Sequence, residues 1–292
     1  MKMMNNKGII PINKPSGWTS FDVVNKIKHL LRQIYGKNMP KVGHLGTLDP
    51  MATGVLLVTI GSATKLFDLL QQKHKTYVAE FKFGEETDTL DSTGNIINKS
   101  THIPSINEIE EVLPNFIGKI LQVPPKYSAK SINGKRAYEL ARNNIDFELK
   151  PKEVEIYGLN LISYENGVLK LEIECGSGTY IRSLGRDISY KVASLANMIS
   201  LIRTKIDKFS VEDCLDVQDL NTDNIEKHII KINNVLANDE LKLTEIEIKK
   251  LLNGQTLTVD NKDGVYKLNN EIDTIAIVKI EDFKAKMLVF LG

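Results

Sequence analysis

The chain has 292 residues, 42% hydrophobic and 26% charged, with 38 Lys and Arg against 37 Asp and Glu. That length suits one large domain with a small one, and no apolar run approaches the ~20 residues that cross a bilayer. Residues 1–7 lack the apolar core of a signal peptide, and Cys175 and Cys214 stand in no metal-ligand spacing. A cytoplasmic protein with reduced thiols, no metal and no membrane contact is therefore expected. The near-neutral total hides an asymmetry. Residues 1–50 carry eight Lys and Arg against two Asp, whereas residues 201–250 carry eight against eleven acids. A basic amino-terminal segment is what a phosphate backbone would use.

Residues 8–13 read as a strand, followed by a turn in K-P-S-G-W-T-S, residues 14–20. Thr19 or Ser20 caps a helix with Asp22 in its first turn. Phe21, Val24, Ile27, Leu31 and Ile34 follow helical spacing, and Gly36 ends it. Residues 41–53 are loop by their glycines and Pro50, and residues 54–60 form a buried strand. A loop feeding a central strand holds its polar side chains, His44, Thr47, Asp49 and Thr53, at the rim of a rigid core. Pro50 biases Asp49 away from the α region. By local features alone Asp49 is a turn former and His44 an ordinary histidine.

A helix is expected over residues 62–70, then a strand from Lys75 to Gly84 with Tyr77, Ala79, Phe81 and Phe83 on one face. The acidic stretch 85–94 reads as a hairpin end. Ser105 and Glu108 make a capping box for a helix to about Leu113. Residues 122–142 combine Pro-Pro, two tyrosines and the cations Lys126, Lys130, Lys135, Arg136 and Arg142, a mixture that suits RNA. Strands over 154–163 and 168–175, joined at 165–167, lead into G-S-G-T-Y-I-R, where Thr179 is expected to cap a helix to about Val192. Tyr180 and Arg182 fall in its first turn. The helix dipole disfavours an arginine there, so Arg182 needs a compensating partner. Residues 198–206 form a strand and 218–235 a helix and connector. Residues 241–292 look separable, with a helix over 244–252 and strands near Val265, Ile275 and Met287.

The string G-H-L-G-T-L-D-P-M-A-T-G-V-L resembles the catalytic loop of the TruB family of tRNA pseudouridine synthases. K-P-S-G-W-T-S, K-T-Y, G-T-Y-I-R and Leu201 extend the likeness over roughly residues 8–215. The resemblance implies an α+β pseudouridine-synthase fold: a central mixed, largely antiparallel sheet flanked by helices, with a small β-rich PUA-like tail. It sets a catalytic domain at 1–240, an RNA-clamping insertion at about 122–152, and the tail at 241–292. It makes Asp49 the nucleophile, Tyr77 the aromatic that stacks on the target base, and Arg182 the partner of Asp49. His44, Tyr180, Leu201 and Lys14 follow on the substrate side, Lys14 with a structural role weighed above direct contact. The implied substrate is the T-arm of tRNA, modified at uridine 55 by a monomer needing no protein partner and no cofactor. Two stretches depart from the family pattern: Lys130-Ser131 shifts a cation by one residue, and in 196–203 Asn197 and Ile202 replace a usual His and Arg.

The chemistry suits these residues. Moving a base from N1 to C5 attachment needs one carboxylate at C1′, as glycoside cleavage does, and no second acid to activate water. Pairing with Arg182 is expected to offset desolvation of Asp49 and lower its pKa. A target inside a folded loop must be everted. Three other readings remain open: a non-catalytic RNA-binding protein on the same scaffold, a hydrolase releasing uracil, and a guide-RNA-dependent relative.

Overall fold

The computed structural model describes residues 7–71, 74–132, 134–143 and 145–292. The signal-peptide reading of residues 1–6 and the contribution of Asn133 to the insertion lie outside them. The main sheet runs, in spatial order, Leu215–Asp216, Gly8–Lys14, Thr53–Ile60, Ala196–Ile206, Lys75–Phe83, Val168–Cys175, Lys152–Glu165 and Gly118–Gln122. Val42–Leu45 and Phe209–Ser210 pair at its side. Only two pairings among these are parallel, Gly8–Lys14 with Leu215–Asp216 and Thr53–Ile60 with Ala196–Ile206. The sheet is thus mixed and largely antiparallel.

Thr53–Ile60 is a near-continuous apolar run because both its faces are covered. Leu56 and Val58 pack with Ile10, Ile12 and the helix Ser20–Tyr35, whereas Val55 and Leu57 pack on the opposite side with Ile9 and Leu45. Thr19 caps that helix in a full capping box with Asp22, and Gly36 closes it. Its buried face holds the expected Val24, Ile27 and Leu31, with Ile34 packed against the same core, and adds Val23 and Leu30; only Phe21, 58% exposed, lies off it. On the other half of the sheet Tyr77, Ala79, Phe81 and Phe83 share one core, as their alternation predicts. The helix Ile181–Lys191 lies on that core. A Cβ on its Gly185 would sit 2.2 Å from Phe81 Cδ1, so only glycine lets the helix approach this closely.

Several local expectations are revised. Val42–Leu45 is a strand rather than loop, pairing antiparallel with Leu57–Ile60. Residues 62–70 divide into a 3₁₀ segment, Gly61–Leu66, and a short helix, Phe67–Gln71. Residues 218–235 hold no long helix, only Ile225–His228 and the single turn Ile232–Val235, because the stretch alternates apolar anchors with turn-forming Asn and Asp.

Residues 241–292 carry the helix Glu245–Leu252 and a four-stranded antiparallel sheet around Leu251, Val278, Ile280 and Ala285. Ile277 and Leu291 nevertheless enter the core of Ile9, Leu45 and Val55. Ser62 Oγ and Lys7 Nζ donate to the Leu291 carbonyl at 2.6 and 2.9 Å.

Gly54 marks the closest crossing in the sheet. Its φ is +102°, and a Cβ there would lie 2.2 Å from the Arg203 carbonyl oxygen. Gly54→Ala should therefore force apart the two parallel strands, costing about 2–3 kcal/mol. A lowered midpoint in thermal unfolding checks this.

Candidate active site

The loop between Leu45 and Thr53 is held from beneath by residues 14–20. Lys14, 0% exposed, donates through Nζ to the carbonyls of Pro15, Trp18 and Pro50 at 2.9, 2.6 and 3.2 Å. Burial brings its pKa down to about 8, with the Asp49 charge pulling the other way and Arg203 adding to the fall. Gly17 N–H donates to the Pro50 carbonyl at 2.8 Å. The Ser20 hydroxyl accepts from Leu48 N–H at 2.9 Å and sits 3.3 Å from the Leu48 carbonyl as donor. The anchors at Leu48 and Pro50 thus flank Asp49, while its side chain meets Arg182. Lys14→Met removes the donor shared by three carbonyls and should slow turnover about 10–100-fold. Single-turnover rates with saturating RNA would show it.

Arg182 spends all three of its nitrogens. Nε and Nη2 meet Asp49 Oδ2 and Oδ1, each at 2.9 Å, a bidentate fork. Nη2 also donates to the Tyr127 carbonyl at 3.0 Å, and Nη1 to the Thr89 carbonyl at 2.8 Å, with Asp91 Oδ2 at 3.4 Å. The side chains of Arg182 and Asp91 are 7% and 6% exposed, whereas that of Asp49 is 28% exposed. Asp49 is therefore the open edge of an otherwise covered ion cluster. Its carboxyl is held above the usual range: burial outweighs the pull of Arg182, and the Asp91 charge adds to the rise. The expected lowering by Arg182 is real but is not the larger effect.

Tyr77 is 7% exposed and shares a core with Leu48, Ala52 and Leu201. Burial lifts its phenol pKa, with Arg203 opposing. His44, half-buried on Val42–Leu45, keeps its pKa below the usual value through burial and the Arg203 charge, so the ring is neutral at pH 7. Its Nδ1 has no hydrogen-bond partner among the described residues. Tyr180, half-buried, stands at the N-cap of Ile181–Lys191. Thr179 does not cap that helix; its hydroxyl turns back to the Gly176 carbonyl at 3.1 Å. The Gln122 amide instead grips the Tyr180 backbone, accepting from N–H at 2.8 Å and donating to C=O at 3.1 Å.

Residues 32–181 match the model described as TruB family pseudouridylate synthase (N terminal domain). The tRNA pseudouridine synthase B of Clostridium kluyveri is 39% identical over 290 residues, covering 96% of this chain and 98% of that protein. The tRNA pseudouridine synthase B of Ureaplasma urealyticum is 45% identical over 228 residues, covering 76% and 97%. The chain belongs to the TruB family. It is accordingly a pseudouridine synthase, an isomerase. In fold it is similar to a crystal structure of the archaeal box H/ACA sRNP Nop10-Cbf5 complex, with TM-score 0.71 and 20% identity across 100% of this chain and 88% of that one.

Against the TruB pattern the two departures have local structural settings. Asn197, 7% exposed, donates to the Glu85 carbonyl at 3.2 Å, tying its strand to the Glu85–Thr87 hairpin. Ile202 is 37% exposed at the rim. Lys130 Nζ reaches the Lys150 carbonyl at 3.5 Å across the insertion. Five residues at the TruB site escaped the sequence reading: Thr89, Asp91, Gln122, Tyr127 and Arg203. Thr89 and Asp91 sit where a hairpin end was expected. Leu90 between them takes φ +62°, unusual for leucine, and its neighbours on both sides reach Arg182. The available signal was the need of Arg182 for more than one partner.

Proposed function

We propose that the chain isomerises uridine 55 in the T-loop of tRNA to pseudouridine, with Asp49 as nucleophile. The carrying observation is a carboxylate gripped on both oxygens by Arg182 yet still open on its outer edge. An everted uridine enters beside Tyr77, whose ring packs on the base, with Leu201 opposite and Tyr180 at the ribose side. His44, neutral, braces the space that the base leaves. Asp49 attacks C1′ as the C1′–N1 bond breaks, and the bonding pair leaves with the uracil ring. The ring turns, C5 displaces the carboxylate from C1′, C5 loses its proton and N1 gains one. No atom is lost or added, so a second carboxylate to activate water has no task.

The insertion, about residues 122–152, grips the T-arm, in keeping with the cations along 126–142 and with the basic amino-terminal segment. The protein works in the cytoplasm as a monomer without a guide RNA. One assay separates the readings. The purified protein alone is given unmodified tRNA transcript tritiated at uridine C5. Release of tritium to solvent without free uracil is expected. Free uracil would mark a hydrolase, and binding without release a non-catalytic RNA protein. Activity only after a guide RNA is added would mark a ribonucleoprotein enzyme.

A further inference from the structure

Arg203 is one of the largest fully buried side chains, 1% exposed. Among the described residues no carboxylate pairs with it. A buried guanidinium without a counter-charge is costly, and such groups cluster where function requires them. Its donors run to loop and strand instead: Nε to the Val55 carbonyl at 2.7 Å and Nη2 to the Gly46 carbonyl at 3.1 Å. Arg203 is also the cross-strand partner of Tyr77 in the pairing of Ala196–Ile206 with Lys75–Phe83, so both side chains leave the sheet on one face. Its charge acts on the Tyr77 phenol, opposing the rise that burial causes. One planar fork thus ties the start of the Asp49 loop to the strand that follows it, with Tyr77 the neighbour on the same face of the sheet. Gly46, φ +83°, leaves the room: a Cβ there would meet Arg203 Nη1 at 3.6 Å.

We propose that Arg203 is a positioning residue for the isomerisation, tying the Gly46 carbonyl to the Val55 carbonyl beside Tyr77 so that the tyrosine and the Asp49 loop keep one mutual arrangement. The role rests on the reading of Tyr77 as the ring that packs on the target base. Lysine keeps the charge but lacks the fork, and cannot hold the loop and strand carbonyls in the same way. The Arg203 charge also adds to what burial does to its neighbours: Lys14 and Lys75 are both brought down to about 8, mainly by burial and partly by Arg203.

The test is a set of four proteins, Arg203→Lys, Arg203→Met, Tyr77→Phe and Arg203→Met with Tyr77→Phe, assayed under single-turnover conditions on C5-tritiated T-arm RNA. Release of tritium by the unaltered protein tests the underlying reading separately. Expected are a tenfold or greater loss of maximal rate in both Arg203 variants, RNA affinity within threefold of the unaltered protein, and a double variant no slower than Tyr77→Phe. A double variant showing the product of the two losses would overturn the proposal, because Arg203 would then act independently of the Tyr77 phenol. Unchanged rates in Arg203→Lys would overturn it too, since charge without the fork would suffice. Should Arg203→Met fail to fold, Arg203→Lys in the same double-variant design decides.

Discussion

Asp49→Asn should bind T-arm RNA with nearly unaltered affinity and release no measurable tritium, a loss of at least about 10⁴-fold in rate. The substitution keeps volume and shape, and Arg182 keeps the carbonyls of Thr89 and Tyr127 together with Asp91. What is lost is the charged oxygen that, on the proposed mechanism, bonds to C1′ and leaves again. The same change should not weaken the fold at neutral pH. Because the Asp49 carboxyl titrates above its ordinary value of 3.8 in the folded protein, stability is lost as the pH rises from that value through the folded pKa, and the loss is complete above it. Asparagine removes that cost, so the variant should melt no lower than the unaltered protein at pH 7. The difference should close as the pH falls below the ordinary carboxylate value, where Asp49 is protonated in both states. Thermal melts from pH 3 to 7 beside a filter-binding titration check both statements. Tritium release at the normal rate would remove Asp49 from the chemistry.

Elements legible in the sequence were those whose signal is local. The capping box at Ser105 marked a helix start, the first helix cap was narrowed to Thr19 or Ser20 and proves to be Thr19, and the alternation from Tyr77 marked a buried face. The string around Asp49 and the arginine of G-T-Y-I-R pointed to a pair 133 positions apart in the chain, which the fold closes to 2.9 Å. Contacts made by backbone atoms were not legible. Tyr127 and Thr89 serve Arg182 through their carbonyls, which every residue possesses, so no side-chain pattern announces them. Asp91 was hidden by composition: in D-T-L-D-S-T-G an acid and two threonines read as turn, and they do form one. Thr93 donates to Asp91 Oδ1 through its hydroxyl and N–H at 2.5 and 3.0 Å, which frees Oδ2 for Arg182. Val42–Leu45 was masked by glycine and histidine, which lower strand propensity; pairing with Thr53–Ile60 overrides it. The direction of the Asp49 shift turned on burial depth, which a sequence does not display.

Arg182→Met tests the cluster as a unit and should be the most damaging single change to both stability and activity. Methionine fills much of the space but leaves Asp49 and Asp91 facing each other with no cation between them, and strands the carbonyls of Thr89 and Tyr127 without donors. Breaking a buried pair by deleting one partner costs about 3–5 kcal/mol, and the lower end applies because Asp49 retains access to solvent. The loss should depend on pH in a defined direction. Arg182 is what restrains the rise in the Asp49 pKa, so without it the carboxyl titrates higher still. Protonation then relieves the repulsion, and the variant should recover stability relative to the unaltered protein as the pH falls through that raised value. Activity should move the opposite way. On the proposed mechanism Asp49 must be ionised, so residual tritium release should increase with pH over a range where the unaltered enzyme has already levelled off. A variant as stable at pH 8 as at pH 5, with an unshifted acid limb, would mean that Arg182 aligns Asp49 without setting its charge. Arg182→Lys separates the two effects, because one ammonium restores the charge near Asp49 but cannot hold both oxygens and the two loop carbonyls together. It should return the acid limb most of the way while leaving the maximal rate at least about 10²-fold low.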